Sequence, residues 1–211
     1  LCVIAGLFVQ SCAFTDSVIK LDYTPNYSVK VAFPTEIVVK KLSDERGVEP
    51  TLIAQKGVVH KTSGRYLSEQ EIGDFLSDGI KATLSQLGYT IVRDGGNFTL
   101  SGQLMKFDSH GIMGFWSGAL EASIQANMKL SDDKSNTIVW HEVVSGNGRL
   151  ESLQMDGDDN RKEVTEKAVV NFMKRLVESE SLKNVLESRQ TGTTARGTNQ
   201  SAAVEKPEKT P

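Results

Sequence analysis

Leu120-Glu121-Ala122-Ser123-Ile124-Gln125-Ala126-Asn127-Met128-Lys129-Leu130 alternates without a break, every even position apolar and every odd one polar. That period of two is a β-strand with one buried and one wet face. Antiparallel sheets allow such a wet face, whereas parallel sheets are covered on both sides. Downstream, Asp132-Asp133-Lys134-Ser135-Asn136 is a polar turn into the β-branched run Thr137-Ile138-Val139-Trp140-His141-Glu142-Val143-Val144. Upstream, the turn Asp94-Gly95-Gly96-Asn97 leads into a strand from Phe98 to Phe107. Three consecutive strands make a meander.

Two helices flank this core. Ser68-Glu69-Gln70-Glu71 has the spacing of a capping box, with Leu67 and Ile72 as its hydrophobic staple. Ile72, Phe75, Leu76, Ile80, Thr83, Leu84 and Leu87 then recur at three and four, and Gly88 stands where a left-handed C-cap belongs. The second helix begins near Asp158 to Asn160 and carries Val164, Ala168, Phe172 and Leu176, widened by Val169, Met173 and Val177. A break near Ser179 to Ser181 precedes a last turn with Leu182, Val185 and Leu186. Glu36 to Lys40 reads as a short strand, Val29 to Phe33 as a weaker one, Thr51 to His60 as an irregular edge strand, and Tyr89 to Val92 as another strand. The expected fold is α+β, a mainly antiparallel sheet with a three-strand meander and two helices packed on one face.

The ends differ from this domain. Leu1 to Ser11 is uncharged and holds Val3-Ile4-Ala5-Gly6-Leu7-Phe8-Val9, too short at ~1.5 Å per residue to cross a ~30 Å hydrocarbon core. We read residues 1–11 as a signal peptide, with its start truncated because the preceding basic segment is missing. Residues 12–27 show no clear period and read as a tether, 28–190 as a single domain, and 191–211, poor in large apolar side chains, as a disordered tail.

Val9-Gln10-Ser11-Cys12 resembles the bacterial lipobox, at which the cysteine is acylated and the chain cut just before it. The resemblance implies lipid on Cys12. Cleavage discards Cys2, leaving no free thiol. The alternatives are a Cys2–Cys12 disulfide or a Cys12 buried in an N-terminal strand. Two or three acyl chains, at ~0.8 kcal/mol per buried CH₂, anchor a protein stably. Together with the Leu87-Gly88-Tyr89 helix end, the strand from Leu100 to Phe107 and the alternating strand from Leu120 to Leu130, the lipobox resembles the YajG-like family of uncharacterised bacterial lipoproteins. That resemblance implies an envelope location. Ala13 in place of Asp resembles outer-membrane sorting, facing the periplasm if the source is Gram-negative.

Little in the sequence points to chemistry. A net charge of −3 gives no field to attract nucleic acid. His60, His110 and His141 have no second ligand at metal spacing, and Asp156-Gly157-Asp158-Asp159-Asn160 opens like a calcium loop but continues with Arg161 and Lys167 where Gly and Glu are needed. Gly146-Asn147-Gly148 and Gly95-Gly96 read as turns, since neither has the order of a phosphate-binding loop. No nucleophile elbow occurs. The expectation is a non-enzyme without metal or cofactor.

His110-Gly111-Ile112-Met113-Gly114-Phe115-Trp116-Ser117-Gly118 breaks the local rules, a glycine-flanked loop carrying four large apolar side chains. Either it folds back over an open end of the core, or Ile112, Met113, Phe115 and Trp116 dock a partner. The function expected is a lipid-anchored envelope accessory protein that binds another envelope protein. The alternative is a lipid- or glycan-handling lipoprotein of a transport system, which would need a continuous apolar cavity where docking needs a flat exposed patch.

Overall fold

The computed structural model describes residues 15–28, 30–31, 35–58, 61–113, 118–152 and 157–194. Among them the elements run β1 (Ser17–Ile19), β2 (Glu36–Val39), β3 (Ser43–Asp44), β4 (Leu52–Val58), β5 (Lys61–Ser68), α1 (Ile72–Gln86), β6 (Thr90–Val92), β7 (Phe98–Met113), β8 (Gly118–Asp132), β9 (Thr137–Ser152), α2 (Asp158–Glu178) and α3 (Glu180–Thr194). One sheet has the order β6-β2-β7-β8-β9 with β3 also beside β7, and a smaller one has the order β1-β5-β4.

The meander is present, and its strands are longer than the alternation suggests. β7 and β8 pair antiparallel from Phe98↔Asp132 to Met113↔Gly118, and β8 and β9 from Gly118↔Ser152 to Asp132↔Thr137. Leu120, Ala122, Ile124, Ala126, Met128 and Leu130 are all buried, as the period of two requires. α2 lies over β8 and β9, while α1 lies over β2, β3 and β6 and touches α2. The stripes of both helices join one core with the even positions of β8. Each large apolar side chain buried there contributes roughly 1.5–3 kcal/mol.

The sheets are mixed instead of mainly antiparallel. β2 pairs in parallel with both β6 and β7, β3 with β7, and β1 with β5. Topology supplies the reason for β2 and β6: parallel neighbours need a crossover of a dozen or more residues, usually a helix, and α1 is that crossover. Among the described residues the helices number three, because the break at Ser179 is followed by a further helix. Ser179 and Ser181 both donate to the Glu142 carboxylate at 2.8 and 3.2 Å, and the Trp140 indole donates to Ser181 at 3.0 Å, so β9 holds the α2–α3 corner.

Several local readings change in the same way. The capping box does not form. Ser68 ends β5, its amide donating to the Thr51 carbonyl at 2.8 Å, and α1 starts at Ile72 with no side-chain cap. Glu71 instead takes the Lys41 ammonium at 2.5 Å. At the far end Gly88, at φ 98°, donates to the Ser85 carbonyl and Tyr89 to the Leu84 carbonyl, both at 3.0 Å, the paired bonds of a Schellman cap. Gly146 and Gly148 are not a turn but lie inside β9. A Cβ on Gly146 would stand 2.3 Å from the Ala168 carbonyl oxygen, and one on Gly148 2.1 Å from that of Val164. These glycines let the α2 backbone sit directly on the strand.

The segment read as a tether reaches into the domain. β1 lies within it, Ile19 and Leu21 join the core, and the Tyr23 hydroxyl meets that of Thr83 at 2.9 Å. Its alternation of Ile19, Leu21 and Tyr23 is too short to stand out as a period. Helix α3 also runs past the expected boundary at 190, to Thr194. The expected irregular edge strand is β4, with two register shifts against β5, a strand that periodicity did not indicate. Of the weaker strand expected from Val29 to Phe33, only Lys30 and Val31 are described, and neither is in a strand.

Candidate docking surface

The two faces of the meander have different fates. Its even β8 face lies under α2, while the opposite face carries Glu121, Ser123, Gln125, Asn127 and Lys129, only partly covered. Ladder register places His110 beside Glu121 and Arg149, Asp108 beside Ser123 and Asn147, and Lys129 beside His141. Arg149 bridges Glu121 and Glu151. The hydrogen bonds that Arg149 donates to Glu151 and Glu121 raise its already high pKa. His141 hydrogen-bonds Asn127, and the His110 Nδ1 lies 3.7 Å from Asp108. Both are surface histidines, and His60 lies outside the described residues.

At one end of this face the β7–β8 hairpin closes. Gly111 pairs with Leu120, Ile112 with Ala119 and Met113 with Gly118, so the segment expected as a loop is strand up to Met113 and again from Gly118. Ile112 is 37% exposed, whereas Ala119 and Leu120 are buried. Phe115 and Trp116 lie outside the described residues, as does Cys12. The structure therefore brings Ile112 and Met113 to one hairpin end and describes their predicted companions no further.

Two buried arginines have roles that the sequence did not signal. Arg46, its side chain 4% exposed, pairs with both Asp44 carboxylate oxygens and donates to the carbonyls of Leu52 at 2.6 Å, Pro50 at 3.0 Å and Phe107 at 3.2 Å. It ties β4 to β7. Burial pushes the Asp44 carboxyl up, but hydrogen bonds and charge from Arg46 outweigh it and hold the pKa below the usual value. Arg161 donates to Ser109 at 3.2 Å and lies 4.8 Å over the Tyr66 ring, tying α2 to β7 and β5. Both arginines hold the fold together.

A cleft of about 570 Å³ opens between Lys20–Tyr23, Ser68–Gln70 and the face of α1 from Phe75 to Ala82. Its walls mix charged and apolar side chains, unlike an enclosed acyl-chain cavity. Among the described residues no group of three His, Cys, Asp or Glu could hold a metal ion. Asp158 and Asp159 sit in the first turn of α2, where they favour the helix dipole. No helix among them is long and apolar enough to cross a membrane.

No protein-family model matches the chain, and no curated protein matches its sequence. Similarity is found among solved structures. A Xanthomonas campestris protein of the DUF330 family superposes with a TM-score of 0.59 at 17% identity, over 82% of this chain and 99% of that one. The two share a fold. A minor lipoprotein from Acinetobacter baumannii matches more loosely, with a TM-score of 0.43 at 9% identity, over 72% of this chain and 94% of the other.

Proposed function

We propose that this chain is a non-catalytic accessory lipoprotein of a bacterial envelope, anchored by lipid on Cys12 and holding another envelope protein with the closed end of its β7–β8 hairpin. The observation that carries the reading is that hairpin end. Beyond a register shift at Met105 the ladder runs in step from Lys106 to Met113 and presents exposed Ile112 beside buried Ala119, and the residues between the strands include Phe115 and Trp116. Aromatic and large aliphatic side chains give large contact area for few rotatable bonds. The lipobox-like Val9-Gln10-Ser11-Cys12 supports the anchor, and the YajG-like pattern of elements supports the envelope, at the outer membrane if the source is Gram-negative. Lipid or glycan handling is the second reading. The mixed, open walls of the cleft favour it less than a continuous apolar cavity would.

The test combines two variants. Phe115→Ala with Trp116→Ala should reduce recovery of envelope partners after cross-linking by at least about tenfold, the loss of one aromatic hot spot, while leaving the melting temperature nearly unchanged. A large fall in melting temperature with partners retained would return the loop to the core and end the docking reading. Cys12→Ser should release the protein from membranes or leave the precursor uncut. Unchanged fractionation would end the lipoprotein reading.

A further inference from the structure

We infer that the cleft beside α1 is a binding site for a small zwitterion, a ligand with an ammonium and an anionic group close together on an apolar body. Two parallel strands, β1 and β5, end at this cleft, and the Glu69 amide donates to the Ile19 carbonyl at 3.3 Å, holding the two ends together. Lys20 follows one strand and Glu69 the other, and both line the cleft.

The charges there divide into two sets. Asp22 is matched by Lys162 at 2.8 Å, and Asp78 by Lys81 at 2.9 Å. Among the described residues the Lys20 ammonium and the Glu69 carboxylate have no ion pair or side-chain hydrogen bond of their own, and Asp22, whose carboxylate Lys20 helps to stabilise, is already paired with Lys162. One cation and one anion are thus left over on adjoining walls, the pattern that a single ligand of each sign would satisfy.

A second observation comes from below them. Ser68 is 4% exposed, lines the same cleft, and its hydroxyl has no hydrogen-bond partner among the described residues. A buried hydroxyl left unpaired carries a desolvation cost that a ligand polar group would remove. Gln70 adds an amide, and Leu21, Phe75 and Ala82 add apolar wall. A volume near 570 Å³ falls in the ~300–1,000 Å³ range of small-ligand sites. An amino acid or short apolar peptide has this chemistry, and so does an ethanolamine phosphate headgroup.

Amide NMR shifts of the isotope-labelled protein separate the outcomes, with leucyl-leucine, its doubly blocked acetyl-amide form, and dihexanoyl phosphatidylethanolamine as probes. One or both zwitterions should shift amides at 20–23, 68–70 and 75–82 at millimolar concentration, and the blocked dipeptide should not. A response to the dipeptide alone assigns a free amino compound, and to the phospholipid alone a membrane headgroup. Lys20→Gln and Glu69→Gln should each weaken binding about tenfold, the effect of losing one charge-assisted hydrogen bond. Ser68→Ala should weaken binding without lowering the melting temperature, a separation that a purely structural serine would not give. Absence of localised shifts with both zwitterions, equal binding of the blocked dipeptide, or wild-type affinity in both charge variants would overturn the assignment.

Discussion

The two sheets of this protein are held by different physics. The large one is fastened by periodic apolar faces: the even side chains of β8 meet Val164, Ala168, Phe172 and Leu176 of α2, and glycines in β9 bring the helix backbone close. The small one also sends Ile19, Ile53 and Tyr66 into the same core, but its fastening adds single charged side chains. Arg46 joins β4 to β7, Arg161 stacks on Tyr66 of β5, and Lys162 holds Asp22 and the Lys20 carbonyl beyond β1. Area-based adhesion is spread over many residues, whereas a clamp concentrates its effect at one. Damage to the two should therefore look different.

Removing the clamp should have the largest effect. Arg46→Met leaves half-buried Asp44 without its cation and takes one donor each from the Leu52, Pro50 and Phe107 carbonyls, a loss of about 3 kcal/mol. Hydrogen exchange should show protection lost first in β4 and β5, with β8 retained. Uniform loss across both sheets would mean that they do not differ as proposed. The same pair gives a pH signature. Because the folded Asp44 carboxyl lies below its unfolded value, its stabilisation is complete above pH ~4 and fades as pH falls through the folded pKa. Asp44→Asn should be less stable at neutral pH and should lose less additional stability on acidification, as followed by urea midpoints between neutral and acid pH.

Gly148→Ala comes next. Its new Cβ would collide with the Val164 carbonyl oxygen at 2.1 Å, and backbone on a fifteen-pair seam cannot yield as a side-chain tip can. We expect about 3 kcal/mol, or roughly 6–12 °C in melting temperature for a domain of this size. Here protection should fall everywhere at once, since α2 closes the shared core. A loss confined to β9 would show that the seam is not a unit with the rest.

The same contrast explains what could be read from the sequence. The large sheet's meander, the stripes of α1 and α2 and the Gly88 cap were legible because each repeats locally at two or three and four residues. The small sheet was not. β5 contains Lys61-Thr62-Ser63-Gly64-Arg65 with no apolar alternation, and its neighbours are fixed by Arg46, which lies 61 residues from Phe107 in the chain. Such contacts have no period. Ser68-Glu69-Gln70-Glu71 matched the capping pattern, yet β5 claims Ser68 for its own pairing with Thr51, so tertiary structure overrode the local signal. Gly146 and Gly148 were misread because a turn and a close helix approach use the same residue, and only the partner helix distinguishes them. At the candidate docking end, the glycines around Ile112 suggested a loop where the ladder in fact continues to Met113, while the cleft's Lys20, Ser68 and Glu69 converge only through the parallel pairing of β1 with β5.

The smallest effect should come from a feature that was legible throughout. Gly88 at φ 98° takes the left-handed conformation that ends α1, and a Cβ there would meet the Val31 side chain at an ordinary 3.4 Å. Space is therefore not the constraint, and Gly88→Ala should cost only the dihedral penalty, about 1 kcal/mol. Gly88→Asn should cost less, since a short polar side chain tolerates this region. Urea denaturation of the two variants measures the difference. Equal losses would mean that packing against Val31 decides the position, and the large sheet's periphery would then share the crowded, contact-specific character that distinguishes Gly148 from an ordinary cap.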